Sequence, residues 1–149
     1  MKYRFSQRGG SMVEFALILP LLIIILFGII EFGIIMYDKA IVTNASREGA
    51  RAGVVLRLTS TGVVNPLTST EIETIVNNYL GSHLISFPPQ SVVTLPAWDD
   101  PTNKSSGSLL TVTVRYQYNW FILPVPTFVP ELAGFNPLNL SATTVMRME

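Results

Sequence analysis

Length, composition and charge narrow the class of protein before any motif is considered. The chain has 149 residues, of which 48% are hydrophobic and only 13% are charged. An ordinary soluble domain has about 25% charged residues, so this chain is short of charge. Residues 15–30 contain no charge and are nearly all apolar, which excludes a simple cytosolic enzyme and a disordered chain. The chain has ten basic and ten acidic residues and therefore no net positive charge. This argues against nucleic-acid binding.

The residues that usually carry enzyme or metal chemistry are scarce. The chain has no cysteine and one histidine, His83, which excludes disulfides, thiolate catalysis and sites with several histidines. We expect His83 to interact with carbonyl groups at a helix end. Asp99, Asp100 and Asn103 offer oxygen ligands, but their spacing is not that of a calcium loop and Pro101 favours a plain turn. We predict no enzyme activity, no cofactor and no metal site.

The N-terminal quarter contains one long apolar segment. Residues 13–36 are apolar except for Glu14 and Glu31, and Lys2, Arg4 and Arg8 precede them. As a helix, these 24 residues span about 36 Å, enough to cross a hydrocarbon core of about 30 Å. The leading positive charges predict a cytoplasmic N-terminus. We predict a membrane segment over residues 10–37 and an extracytoplasmic head over residues 38–149.

Three interpretations of this segment compete. A cleaved secretory signal peptide has a shorter apolar region, and the A-x-A pattern at residues 50–52 comes too late. An uncleaved signal anchor requires only the apolar segment and the positive charges before it. A prepilin-type signal also accounts for Gly9 and Gly10, which directly precede the segment, and for Glu14, which lies inside it.

Cleavage between Gly9 and Gly10 would remove residues 1–9 as a leader and make Glu14 the fifth residue of the mature chain. The new α-amine of one subunit can then neutralise the costly carboxylate of a neighbour. Cleavage after Gly10 is the alternative and would make Glu14 the fourth residue.

These N-terminal residues resemble a known family. The stretch from Gly9 to residue 20, with Glu14 followed by Phe15, is similar to TadE-like pseudopilins, the minor pilins of tight-adherence (Tad, or Flp) type IV pili. Residues 44–53 and 140–147 also resemble that family. The resemblance implies a minor pilin that takes part in pilus assembly, by priming or at the tip, and supports adhesion and biofilm formation.

The resemblance also implies partners and a location. The partners are the prepilin peptidase, the major Flp pilin, other Tad minor pilins and the inner-membrane platform proteins. The chain would cross the bacterial inner membrane once, with its head in the periplasm, and would reach the pilus on assembly. The alternative function is an unprocessed, signal-anchored periplasmic binding or sensor domain.

The periodicity of the sequence predicts an α+β fold. One helix is expected over residues 11–56, with Pro20 inside it, and a second over residues 71–84, begun by a capping box of Thr70 and Glu73. Its apolar face comprises Ile72, Ile75, Val76, Tyr79 and Leu80. Strands are predicted at residues 91–95, 110–118 and 138–146, and together they form a small antiparallel sheet.

Two further predictions concern faces of these elements. Ala45, Gly49 and Ala52 lie on one side of the long helix and are expected to pack closely against the sheet, or else against a neighbouring pilin. Arg47 and Arg51, on another side, are expected to contact partners. The apolar, proline-rich residues 120–130 either fold onto the core or form an interface, and both options stay open.

Overall fold

The computed structural model describes residues 8–58, 64–85, 92–100, 106–122 and 137–148. Two helices and a three-stranded antiparallel sheet form the fold, which confirms the predicted α+β class. A two-residue strand pair, which the sequence analysis did not predict, follows the first helix. The elements in chain order are α1 (Arg8–Gly53), β1 (Arg57–Leu58), β2 (Val64–Asn65), α2 (Ser69–His83), β3 (Val92–Trp98), β4 (Leu109–Tyr118) and β5 (Leu138–Arg147).

Helix α1 has two halves with different surroundings. It is one continuous helix of 46 residues that runs through Pro20. Residues 10–27 are all exposed, whereas burial recurs with helical spacing from Glu31 onward. The first half is long and apolar enough to cross a membrane, with a mean hydropathy of 2.9 over a window of which none is buried. The second half therefore belongs to the head.

Helix α2 begins two residues earlier than predicted. Its N-cap is Thr68, whose side chain accepts from the backbone of Glu71, while the Glu71 carboxylate accepts from the backbone of Thr68. The predicted box of Thr70 and Glu73 was wrong, although both pairs fit the same sequence pattern. With Thr68 as the cap, the flanking positions that close a hydrophobic staple are Leu67 and Ile72, and both are buried. A cap at Thr70 would place polar residues at both positions.

The predicted apolar face of α2 is confirmed. Ile72, Val76 and Leu80 are buried, and Ile75 and Tyr79 pack partly buried against them.

The sheet has the order β3–β4–β5, and both pairs are antiparallel. Strand β4 is central, and its alternating residues face the core as predicted. Val112, Val114, Tyr116 and Tyr118 are all buried, whereas Arg115 is exposed. The predicted alternation of the last strand also holds, because its even-numbered residues are more buried than their neighbours. One face of the sheet therefore lies on helix α1.

Small residues let α1 approach α2 and the sheet closely. A Cβ on Gly49 would lie 2.5 Å from Val76 Cγ2 in α2 and 3.5 Å from Val112 Cγ1 in β4. One turn later, a Cβ on Gly53 would collide with Leu110 Cδ2. The face of Ala45, Gly49 and Ala52 is therefore buried, as predicted, but α2 as well as the sheet covers it.

These contacts also show in which direction the central strand β4 runs relative to α1. Tyr118, at the end of β4, meets α1 at Glu31, whereas Leu110, near the start of β4, meets it at Gly53. Strand β4 therefore runs antiparallel to α1. Its C-terminal end lies closest to the exposed apolar half of the helix.

Candidate functional site

The predicted processing residues lie in the first turn of α1. Gly9 and Gly10 are helical, and Gly10 is exposed, with no atom within 4 Å of the point that a Cβ would occupy. Each glycine in a helix costs about 1 kcal/mol relative to alanine, so this turn opens more easily than the rest of α1. An open, extended backbone is what a peptidase needs. Cleavage between these glycines stays a prediction.

Glu14 and Phe15 lie on the exposed half of α1. Within the described part of the chain, no residue donates a hydrogen bond or an ion pair to the Glu14 carboxylate. Glu14 is 17 residues before Glu31, which corresponds to about 25 Å along the helix. The two carboxylates therefore bracket the uncharged part of the segment.

Glu31 forms a polar site that the sequence analysis missed. Its side chain is 1% exposed. Oε1 accepts hydrogen bonds from the Tyr118 hydroxyl at 2.6 Å and from the Phe121 backbone N–H at 2.8 Å. Oε2 accepts from the Ile122 backbone N–H at 2.7 Å. We call this arrangement the Glu31 clamp, because it ties the end of β4 to α1.

A second buried carboxylate lies two turns further along the same face. Asp38 is fully buried, and its Oδ1 accepts from the Ile85 backbone N–H at 3.3 Å. Burial raises the pKa of Asp38 above its usual value of 3.8. Burial, together with the hydrogen bond to Glu31, also raises the pKa of the Tyr118 hydroxyl, which therefore stays protonated and remains a donor.

One sequence signal could have revealed these buried acids. Glu31 and Asp38 are seven residues apart, so they share a helix face with Ile35 and Val42, which are also buried. An acidic residue inside an apolar face requires hydrogen-bond donors from elsewhere in the fold. The pattern names the residues that need donors, but it does not say which residues supply them.

Arg47 and Arg51 are exposed, as a partner surface requires. The structure brings Arg51 to Glu48 in a paired contact, with Nη2 to Oε1 at 2.6 Å and Nε to Oε2 at 3.0 Å. The hydrogen bond from Arg51 lowers the pKa of Glu48. A partner contact for Arg47 and Arg51 stays a prediction.

Other candidate positions serve structural roles. His83 Nδ1 lies 2.8 Å from the Tyr79 carbonyl oxygen, and the ring stacks on Tyr79, as expected at the end of a helix. Asp99 Oδ1 accepts from the backbone N–H groups of Asp100 and Leu109, so this carboxylate stabilises a turn. Asn103 and residues 123–130 lie outside the described residues. In the described ranges, no three His, Cys, Asp or Glu side chains group closely enough to hold a metal ion.

Comparison with known proteins gives one match. The family model described as TadE-like protein matches residues 9–51, nearly the whole of α1. No curated protein and no solved structure matches the chain. The resemblance seen in the N-terminal motif is thereby confirmed, and with it the assignment to a pilus-related membrane protein. Residues 9–51 therefore match the TadE-like family, and this match is consistent with a TadE-like protein associated with Tad pili.

Proposed function

We propose that the chain is a minor pilin that takes part in assembly of a Tad/Flp-type pilus, either in priming or at the tip. One observation carries this proposal. The residues that match the TadE-like family coincide with a single helix whose first half is apolar and exposed and whose second half holds the head. A pilin needs both halves, because the first is stored in the membrane and the second presents the head.

The end of the membrane segment can be inferred from the point at which the head begins to bury α1. From residue 10 to residue 30, α1 has 21 residues, which span about 31 Å and match a hydrocarbon core of about 30 Å. Glu31 is the first residue buried by the head. This supports a span that ends near residue 30 rather than at residue 37, with residues 31–37 at the level of the lipid headgroups.

Orientation and processing follow from the N-terminal charges. Lys2, Arg4 and Arg8 favour a cytoplasmic N-terminus, which leaves the head in the periplasm. Removal of residues 1–9 by the prepilin peptidase would take these charges away and create an α-amine at Gly10. Glu14 of this chain would then pair with the α-amine of a neighbouring pilin, either a major Flp pilin or a Tad minor pilin, on the inner-membrane platform.

Processing of the full chain tests this function. The chain is co-expressed with an active prepilin peptidase, and the intact mass is measured. Removal of nine residues from 149 leaves a mature chain of 140 that begins at Gly10. Gly9→Trp should leave the precursor uncut. Gly33→Trp is the matched control, because Gly33 is exposed on the same helix with nothing within 4 Å.

One result would count against the proposal. A wild-type chain that keeps its full mass beside an active peptidase would favour the unprocessed binding or sensor domain. A chain that loses ten residues would still be a processed prepilin, with the cut after Gly10. The role in assembly has its own readout, since deletion of a priming pilin should abolish pili even when the major pilin is present.

A further inference from the structure

The Glu31 clamp fixes the height of a chain segment relative to the proposed membrane. Glu31 directly follows the exposed apolar half of α1, and helical side chains tilt toward the helix N-terminus. Its carboxylate therefore points back toward the membrane side. Because the Phe121 and Ile122 N–H groups bond to that carboxylate, residues 121–122 lie at the level of Glu31 or closer to the membrane.

The side chains at this level are large, apolar and exposed. Phe121 is 66% exposed, although its backbone is held by a buried group. On α1, Phe32, Met36 and Tyr37 are also exposed. We call these four residues the collar, because they lie at or near the level of Glu31, where α1 leaves the head. Tyr37 is of a residue type that, with Trp, is enriched at the membrane–water interface.

Exposed charged residues are absent from the same stretch of α1. Between Glu31 and Lys39 the only charged side chain on α1 is Asp38, which is fully buried. Lys39 lies about 12 Å above Glu31 and donates to the Ser141 carbonyl oxygen. The headgroup region on one side of a bilayer is about 5–8 Å thick. The uncharged stretch is therefore long enough to pass through it.

We propose that the collar lies in the outer surface of the lipid bilayer and that the Glu31 clamp holds Phe121 there. This rests on the proposed membrane span, with which the collar is continuous. Lipid is the occupant because the collar continues the apolar half of α1 without an intervening exposed charge. The head then rests on the membrane before assembly, and extraction into a pilus must remove Phe121 from lipid.

Single cysteine labels test this placement, since the chain has no native cysteine. Full-length Phe121→Cys carries an environment-sensitive fluorophore in vesicles of phosphatidylethanolamine and phosphatidylglycerol. Some of the lipids bear a nitroxide quencher on the upper acyl chain. Val145→Cys is the matched control, because Val145 is 55% exposed and pairs with Thr111 at the far end of the sheet. Ile23→Cys reports the membrane segment itself.

Tyr118 is seven positions after Thr111 along β4, so Val145 lies about 24 Å further from the membrane than the clamp. We expect quenching several-fold stronger at position 121 than at position 145, and quenching at position 23 as well. Equally weak quenching at 121 and 145, with strong quenching at 23, would overturn the collar and leave the span intact. Weak quenching at 23 would overturn the span and, with it, the collar.

A second variant tests the clamp. Glu31→Gln replaces one acceptor oxygen by an NH₂ group, which cannot accept from the N–H groups that now face it. Quenching at position 121 should fall toward the value at 145, while quenching at 23 stays unchanged. Glu48→Gln is the control, because Glu48 lies on the same helix and bonds only to exposed Arg51 among the described contacts. Undiminished quenching at 121 in Glu31→Gln would show that the clamp does not hold the segment in lipid.

Discussion

The contact between Gly49 and Val76 makes a sharp prediction about stability. A Cβ on Gly49 would lie 2.5 Å from Val76 Cγ2 and 3.5 Å from Ile72 Cγ2. Real Cβ atoms do not approach carbon atoms as closely as 2.5 Å, so Gly49→Ala must displace the Val76 side chain or push α1 and α2 apart. Gly81, in the last turn of α2, has no atom within 4 Å of the same position. The same substitution at these two helical glycines should therefore have opposite effects.

The magnitudes follow from two opposing effects. Replacing an interior helical glycine by alanine stabilises the helix by about 0.5–1 kcal/mol. Forcing an extra methyl group into a packed core costs about 1–3 kcal/mol. We therefore expect Gly49→Ala to lower the free energy of unfolding by up to about 2 kcal/mol, whereas Gly81→Ala should raise it by up to about 1 kcal/mol. Gly49→Leu, which adds three more carbons, should be worse.

Urea unfolding of the full chain in mild detergent, followed by tryptophan fluorescence, measures both effects. A double-mutant cycle with Val76→Ala isolates the contact, because that change removes the methyl group that Gly49→Ala would strike. In the Val76→Ala background, Gly49→Ala should cost much less or become stabilising. The same cost in both backgrounds, or a gain in the wild-type background equal to that of Gly81→Ala, would refute the close approach of the two helices.

Three further predictions address charged residues. The raised pKa of Asp38 means that its contribution to stability is present at low pH and is lost as pH rises through that pKa. Asp38→Asn should therefore raise the free energy of unfolding at neutral pH and flatten its rise on acidification, as measured by urea unfolding across pH. Glu14→Ala should insert and be processed normally but co-purify poorly with partner pilins; wild-type recovery would contradict the pairing. Arg47→Glu with Arg51→Glu should leave the melting temperature nearly unchanged and weaken co-purification, and the opposite pattern would mean that this face is structural.

The hydrophobic periodicity of the sequence predicted β4 and α2 well. In these elements the packing against neighbouring elements requires apolar residues at the same positions that the local pattern marks. Strand β4 lies between β3 and β5 and covers helix α1, so each inward position must be apolar. Val112, Val114 and Tyr116 meet that demand and are buried. Helix α2 likewise shows its buried face directly, with Ile72 and Val76 one turn apart. In both elements, local sequence and tertiary packing require the same residues.

The features that escaped prediction depend on contacts between distant parts of the chain. Two capping boxes fit the sequence before α2, and burial of Leu67 and Ile72, which depends on the rest of the core, accompanies the earlier one. Glu31 looked like an interruption of an apolar segment, because its donors come from about 90 residues later in the chain. No local pattern connects Glu31 to Tyr118.

The two glutamates of the apolar helix differ in how their charge is accommodated, and this difference supports an assembly role for Glu14. A carboxylate near hydrocarbon is costly unless hydrogen bonds or an opposite charge satisfy it. Glu31 receives three hydrogen bonds from its own chain and is buried by them. Glu14 is exposed and receives none from the described residues. A lipid headgroup, water or another subunit can supply a donor for Glu14, and cleavage next to Gly10 would supply a new amine one helical turn away. A carboxylate without a donor among the described residues, beside a terminus that processing would create, is a site that subunit assembly can complete.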